Sequence, residues 1–291
     1  MPIEISPLTA PLGATVTGVD LSESLNDEDF RKIHRAWLEH IVLVFPEQNL
    51  SDENQVTFTR HFGEMPDRPV HSKGIKSDHQ IHKSVMLVSN VRENGKIIGS
   101  LPDGEMHFHT DGAYEINPYR YTMLYALEVP RQGGNTLFAN MYRAYDTLPE
   151  DLKTRLCEAE AEHGFYTGSD VSDGMKQRLR ISDYQNSARH PVFIRHEETG
   201  RTSLYVSRLL TESLTGFPEG ESQNLLSQLF DHSERPEFVY EHIWNPGDFV
   251  VWDNRCANHA RTDFGDSERR MLRRTTIQGI GPERARVPGR G

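Results

Sequence analysis

Residues 244–261 of the chain are WNPGDFVVWDNRCANHAR. The Asn-Pro-Gly turn at 245–247 is followed by the apolar run Phe249–Trp252, which is typical of a strongly apolar strand. The run ends in Asp253 and Asn254, and His259 follows shortly beyond its end. This segment therefore predicts a strongly apolar strand with a histidine just beyond its C-terminal end.

Short β-type runs recur along the rest of the chain, at 14–19, 41–45, 85–89, 121–127, 135–138, 192–195, 203–206, 237–244 and 274–279. Helical periodicity is found at 27–39, 51–62, 141–148, 149–163 and 221–232. Strands outnumber helices and do not alternate strictly with them, which favours a mainly β fold with flanking helices over a doubly wound parallel sheet. No repeat or linker marks a boundary, so we expect a single domain over residues 1–291. The polar stretches 64–105 and 167–189 are predicted to be loops that cover an active site.

The chain has 291 residues and a formal net charge of -11, which argues against binding to nucleic acids or anionic membranes. The longest apolar run, Ile41–Phe45, is far shorter than the roughly 20 residues that span a bilayer. The N-terminal residues have no basic region followed by an apolar stretch, so we expect no secretory signal and a cytoplasmic location. Two cysteines without CxxC spacing predict neither a disulfide framework nor a thiolate metal site.

A histidine two residues before a carboxylate occurs three times, at His109-Thr110-Asp111, at His196 and at His232. On a strand this spacing puts both side chains on one face, where they can bind one metal. Only His109 lies in an alternating segment, Glu105–Tyr114, so that His109 and Asp111 are the candidates. His232 lies at the end of a helical pattern, and His196 lies in a polar turn where we expect it to be solvated.

His259 is the best candidate for a third ligand. Two imidazoles and one carboxylate form the facial triad of non-haem Fe(II) oxygenases, which leaves three coordination positions open. The same ligands also occur in zinc hydrolases. Ligand identity alone leaves both alternatives open.

The segment Arg269–Gly279 has an unusual charge density for a strand. Its alternation puts Arg270 and Arg274 on one face. Arginine forms bidentate hydrogen bonds to carboxylates, so two arginines facing the metal would suit two anionic groups. The alternative is a solvated edge strand whose arginines deter aggregation.

With these features, the sequence resembles the TauD/TfdA family of Fe(II)/2-oxoglutarate-dependent dioxygenases. The resemblance spans almost the whole chain, and the order and spacing of its motifs are highly specific. These motifs are Leu12–Leu21, Val42–Pro46, Phe62–Glu64, His109–Asp111, Gly133–Thr136, Met141–Tyr145, Gly247–His259 and Arg270–Gly279. The resemblance implies a double-stranded β-helix, or jelly roll, and His109, Asp111 and His259 as ligands of Fe(II).

The resemblance also implies that Thr136 and Arg270 bind the distal carboxylate of 2-oxoglutarate. It implies that Arg274 binds the anion of the substrate. By local alignment, further pocket positions are Arg68, His71, Glu105, Gly112 and Tyr114. Arg68 and Arg274 would suit a carboxylate, sulfonate or phosphonate, and Glu105 an amine or hydroxyl.

The implied reaction is hydroxylation of a small anionic organic substrate by O2, with conversion of 2-oxoglutarate to succinate and CO2. Family analogy also implies a homo-oligomer. A metal-dependent hydrolase at the same three ligands is the alternative, and such an enzyme would have no use for Thr136 and Arg270.

Overall fold

The largest element is a seven-stranded sheet, seen in a computed structural model that describes residues 2–66, 82–99, 106–164, 187–265 and 267–286. With strands numbered along the chain, the spatial order is β1 (Glu4–Pro7), β2 (Ala14–Thr17), β3 (Val42–Phe45), β16 (Phe249–Asp253), β8 (Tyr119–Glu128), β18 (Met271–Gln278) and β4 (Met86–Ser89). Only the pairing of β2 with β3 is parallel in this sheet. The apolar run of residues 249–252 lies in β16, which pairs with a neighbour on each side and is fully buried.

A four-stranded antiparallel sheet packs against one face of the seven-stranded sheet. Its order is β15 (Val239–His242), β9 (Thr136–Asn140), β17 (Ala257–Arg261) and β7 (Met106–His109). Apolar residues of the two sheets share one core, in which the rings of Phe138 and Trp252 lie 5.3 Å apart. Because β16 and β17 are joined by a short turn, the chain passes from one sheet to the other just before His259.

The helices are α1 (Asp27–His40), α2 (Asp52–Arg60), α3 (Met141–Asp146), α4 (Glu150–Leu156) and α5 (Glu219–Ser233). Helices α1 and α2 pack on the outer face of the large sheet, where the ring of Trp37 lies edge-on 4.1 Å from that of Tyr121. Asn26 and Ser51 cap these two helices with side-chain oxygens that accept backbone N–H groups. Helices α3 to α5 contribute to a second core beyond the small sheet.

Two three-stranded sheets, a hairpin and a 3-10 helix complete the described chain. The first sheet contains β11 (Ser187–Pro191), β10 (Glu160–Gly164) and β14 (Thr211–Leu214), and the second contains β13 (Thr202–Leu204), β12 (Phe193–Arg195) and β19 (Glu283–Arg284). The hairpin pairs β5 (Arg92–Glu93) with β6 (Lys96–Ile97), and the 3-10 helix covers Pro236–Phe238. Among the described residues, no helix is both long enough and apolar enough to cross a bilayer.

The expectation of a mainly β fold with flanking helices is confirmed. The predicted helix at 149–163 is wrong in its second half, because the helix ends at Leu156 and Glu160–Gly164 is a strand. Its alternate residues Ala161 and His163 are buried between β11 and β14, so pairing on both sides outweighs helical periodicity. Most of the predicted loops 64–105 and 167–189 lies outside the described residues, and the remainder includes β4 at the edge of the large sheet.

Candidate active site

His109, Asp111 and His259 lie together between the two main sheets. His109 ends β7, Asp111 follows in the next turn, and His259 is the cross-strand partner of His109 in β17. The His109 Nε2 atom lies 3.9 Å from Oδ1 of Asp111, and the His259 Nε2 atom lies 3.8 Å from Oδ2. All three side chains are buried, and one potential ligand atom of each lies within 4.8 Å of the other two. The structure therefore brings together the three residues that the sequence singles out.

Hydrogen bonding and burial leave the two imidazoles neutral. The His109 Nδ1 atom lies 2.9 Å from the carbonyl oxygen of His107, which can only accept, so Nδ1 carries the proton and Nε2 has a free lone pair. Burial lowers the pKa of His109, and burial together with the proximity of His109 lowers the pKa of His259 to about 3. Neutral histidine is the form that binds metal.

Asp111 is held as a carboxylate. Burial alone would raise its pKa, but the Arg274 guanidinium, the two histidines and the Thr122 hydrogen bond together outweigh burial and hold the pKa well below its usual value. Nη1 of Arg274 lies 3.1 Å from Oδ1 of Asp111, and the hydroxyl of Thr122 donates to Oδ2 at 2.7 Å. Two neutral imidazoles and one carboxylate thus fit the ligand set expected for Fe(II).

Thr136 lies at the start of an inner strand of the small sheet, and Arg270 lies just before β18 of the large sheet. Thr136 begins β9, and its hydroxyl oxygen accepts the indole N–H of Trp244 at 3.0 Å, which leaves the hydroxyl proton free to donate elsewhere. Arg270 is only 3% exposed, and its Nε donates to the carbonyl of Gly134 at 3.0 Å. No carboxylate of the described chain lies within ion-pair distance of this guanidinium.

A second arginine increases the positive charge at this place. Arg261 is the cross-strand neighbour of Thr136, and it is also buried. Burial and the charge of Arg261 lower the pKa of Arg270 to about 9, so that Arg270 remains a cation at neutral pH. Burying the charge of Arg270 is costly unless an anion compensates it, which makes this corner suited to the carboxylate of a bound molecule.

Glycine is required at position 134. Its φ of +64° lies in the left-handed region, and a Cβ would lie 3.2 Å from Cδ of Arg270. Any side chain at this position would therefore be strained by its backbone conformation, and it would have to shift the Arg270 side chain by a few tenths of an ångström.

The remaining predicted pocket residues divide into two groups. Gly112 has φ +74°, and a Cβ there would lie 3.0 Å from the backbone nitrogen of Tyr119, so the turn after Asp111 requires glycine for its backbone. Tyr114 is buried in a small cluster with Tyr205 and Leu210, and burial raises its pKa. Arg68, His71 and Glu105 lie outside the described residues.

The expectation that His196 is solvated is wrong. His196 is 1% exposed, and its Nε2 lies 2.9 Å from Oδ2 of Asp253. The ring turns inward because its Nδ1 accepts backbone N–H groups of Glu198 and Thr199.

Although His196, Asp253 and Cys256 have potential ligand atoms close to one another, Arg255 already donates to both oxygens of Asp253. Burial also raises the pKa of the Cys256 thiol, so it is not a thiolate. This cluster is therefore a satisfied structural network.

The sequence did not single out Thr122 and Arg261, which lie next to the predicted site residues Asp111 and Thr136, or Asn254, which donates to Thr122. Thr122 is one buried polar residue in the ten-residue strand β8, and threonine is common in strands, so nothing in the sequence distinguishes it. Asn254 and Arg261 lie close to His259 in the quoted segment. The position of these two polar side chains beside an apolar strand is the one sequence feature that could have marked them as part of the site.

A model of the family described as taurine catabolism dioxygenase TauD, TfdA family matches residues 4–276. The (S)-phenoxypropionate/alpha-ketoglutarate-dioxygenase of Sphingobium herbicidovorans is 35% identical over 95% of both chains. The alpha-ketoglutarate-dependent 2,4-dichlorophenoxyacetate dioxygenase of Cupriavidus pinatubonensis is 33% identical over 95% of this chain and 98% of that protein.

Solved structures have the same architecture. A taurine dioxygenase from Burkholderia xenovorans superposes with a TM-score of 0.78 at 30% identity, covering 96% of this chain and 92% of that one. The protein AAD-2, solved in complex with Mn(II) and N-oxalylglycine, superposes with a TM-score of 0.78 at 28% identity, covering 97% of this chain and 99% of that one.

The predicted jelly roll is thereby confirmed. A family match over nearly the whole chain decides between the two enzyme classes that the ligand set left open, since the family uses Fe(II), 2-oxoglutarate and O2. The chain therefore belongs to the TauD/TfdA family and is a 2-oxoglutarate-dependent dioxygenase.

Proposed function

We propose that the chain hydroxylates a small organic anion at a centre formed by His109, Asp111 and His259. The observation that carries this proposal is the buried cluster of two neutral imidazoles and a carboxylate, with the Arg274 guanidinium beside it. When bound there, Fe(II) and 2-oxoglutarate supply the oxidation of the substrate by O2, with succinate and CO2 as co-products.

The side chains of the chain bind and orient the reactants. Nε2 of His109 and His259 and the Asp111 carboxylate would hold the metal. Arg270 and Thr136 would bind the distal carboxylate of 2-oxoglutarate, because a buried cation without a carboxylate partner and a hydroxyl with a free proton are complementary to that group. Burial of all these residues excludes water, which strengthens each electrostatic contact.

The substrate class follows from charge. Arg274 is a buried cation beside the proposed metal site and would bind a carboxylate, sulfonate or phosphonate. The named substrates of two relatives, phenoxypropionate and 2,4-dichlorophenoxyacetate, are carboxylates, and a third relative is a sulfate ester dioxygenase of Pseudomonas putida. We therefore propose a carboxylate as the first substrate class to test, with Arg68, His71, Glu105, Gly112 and Tyr114 as further pocket residues.

By the same family similarity we propose that the chain is a single domain, that it forms a homo-oligomer and that it works in the cytoplasm. Size-exclusion chromatography with light scattering would test the oligomer. A monomer at micromolar concentration would contradict it.

The proposed function is tested by adding Fe(II) and then 2-oxoglutarate to the metal-free protein without oxygen, and measuring the visible charge-transfer band of the chelate. We expect a band in the wild type, no band in His109→Ala, and a higher 2-oxoglutarate requirement in Arg270→Ala. Arg269→Ala is the matched control, since this neighbouring arginine is exposed and pairs with Glu128. No band in metal-loaded wild type would overturn the proposal, and hydrolysis would then be assayed.

A further inference from the structure

A chain of hydrogen bonds leads from the indole of Trp252 to the carboxylate of Asp111. Nε1 of Trp252 donates to Oδ1 of Asn254 at 3.0 Å. Nδ2 of Asn254 donates to the hydroxyl oxygen of Thr122 at 2.9 Å, and that hydroxyl donates to Oδ2 of Asp111 at 2.7 Å. We call these four residues the carboxylate relay.

Every proton of the carboxylate relay has one allowed position. An indole nitrogen only donates, so the oxygen of the Asn254 amide must face Trp252 and its NH2 must face Thr122. The hydroxyl of Thr122 has a single proton, and its oxygen already accepts from Asn254. That proton is therefore directed to Asp111, whose ionised carboxylate only accepts.

The relay is closed to solvent and joins separate parts of the fold. Thr122, Trp252 and Asn254 are at most 1% exposed, so no water competes for these bonds. Thr122 lies in β8 and Asn254 follows β16, both in the large sheet, whereas Asp111 follows β7 of the small sheet. The hydrogen bond between Thr122 and Asp111 is thus a polar contact between the two layers.

The Asp111 carboxylate, at the end of the relay, has Arg274 as a second hydrogen-bond donor. Oδ1 of Asp111 accepts from Arg274, whereas Oδ2 accepts from Thr122. If the Thr122 hydroxyl were lost, the carboxylate would be free to turn towards the arginine and form a bidentate pair with it. Such a turn would withdraw it from His109 and His259.

We propose that Asn254 and Thr122 are positioning residues for the metal: Asn254 holds the Thr122 hydroxyl as a donor, and that donor fixes the Asp111 carboxylate in its orientation towards the two histidines. This inference rests on the proposed function, because it requires that Asp111 binds the metal. Mutation of a residue that hydrogen-bonds to a metal ligand typically lowers metal affinity by about 10-fold to 100-fold.

The test measures the dissociation constant of Mn(II), read from the EPR signal of the free ion. Thr122→Val removes the hydroxyl at nearly constant volume, and we expect it to weaken Mn(II) binding by about 10-fold to 100-fold. Thr122→Ser keeps the donor, and we expect its affinity to stay within about three-fold of the wild type. Asn254→Asp introduces a carboxylate that can only accept, so that it would take the Thr122 proton from Asp111 and weaken binding as Thr122→Val does.

Thr275→Val is the matched control. Thr275 is also a buried threonine of the large sheet, but it lies on the opposite face and its hydroxyl contacts Gln55 and Thr59. We expect this variant to lose thermal stability and to keep its Mn(II) affinity. A role of Thr122 in stability alone would make the two valine variants behave alike.

A double-mutant cycle tests whether Asn254 acts through Thr122. We expect Asn254→Asp to have little further effect on Mn(II) affinity in the Thr122→Val background. Wild-type affinity in Thr122→Val, or additive effects of the two substitutions, would overturn the relay. If Thr122→Val does not fold, the comparison of Asn254→Asp with Thr122→Ser decides. Failure of the proposed function can be told apart from failure of the relay, because Mn(II) would then bind to His109→Ala as tightly as to the wild type.

Discussion

Arg274 and Asp111 form a buried ion pair, in which Nη1 of the arginine lies 3.1 Å from Oδ1 of the carboxylate. The arginine predicted to bind the substrate anion is therefore in contact with the carboxylate predicted to bind the metal. A substrate anion that pairs with Arg274 would lie beside the proposed metal site. Of the interactions that keep the Asp111 carboxylate ionised when no metal is present, this contact is the largest.

Arg274→Gln removes the partner of a buried carboxylate. Breaking such a pair typically costs about 3–5 kcal/mol, because an uncompensated charge stays in the interior. We expect the free energy of unfolding of the metal-free protein to fall by about this amount in denaturant titrations, and Mn(II) to restore part of it. The control is Arg273→Gln, since Arg273 is also buried but donates to the carbonyl of Leu50 on the other face of the strand. Equal effects of Mn(II) on the two variants would contradict the prediction.

The hydroxyl of Thr136 is expected to contribute to binding of 2-oxoglutarate. A hydrogen bond to a charged group is worth about 1.5–3 kcal/mol, so Thr136→Val should raise the half-saturating 2-oxoglutarate concentration by about 10-fold to 100-fold. Thr136→Ser retains the hydroxyl and should stay close to the wild type. Succinate formation at varied 2-oxoglutarate measures both variants, and an unchanged requirement in Thr136→Val would exclude the contact.

The chain is expected to bind one divalent metal. Asp111→Asn should abolish binding of Mn(II), whereas Asp253→Asn should leave its stoichiometry at about one per chain, because Asp253 is saturated by His196 and Arg255. Asp253→Asn should instead destabilise the fold by about 1–3 kcal/mol, since one acceptor oxygen facing His196 and Arg255 is lost, while Arg255 keeps Glu197 and Glu198 as partners of its charge. Isothermal titration gives the stoichiometry, and a loss of metal in Asp253→Asn would point to a second site.

Stability of the metal-free protein is expected to fall on acidification from pH 7 to pH 5. Burial lowers the pKa of His163 and of His259 to about 3, whereas histidine in an unfolded chain titrates near 6.5. Between these values the unfolded chain binds more protons than the folded protein, so the free energy of unfolding decreases as the pH drops. Thermal unfolding at pH 7, 6 and 5 measures the effect. His163→Gln should reduce the pH dependence, and a melting temperature that is constant over this range would contradict the prediction.

The sequence alone was sufficient to single out the three residues that the structure brings together, and to predict the class of fold. His109 and Asp111 are two residues apart in an alternating segment, and period two puts them on one side of the chain. The apolar residues Phe249–Trp252 predict a strand, and β16 is a strand in which every residue is buried. These features are local, so they are visible in the order of residues.

Contacts between distant strands were decided by the tertiary structure. Thr122 lies 132 residues before Asn254, and only the pairing of β8 with β16 brings the two together beneath Asp111. The strand at Glu160–Gly164 and the burial of His196 likewise depend on neighbours that come from other parts of the chain. A polar residue in a buried strand gives the same local sequence pattern whether it only packs in the core or donates a hydrogen bond to a predicted metal ligand. The partner across the layer decides its role, and sequence periodicity does not specify that partner.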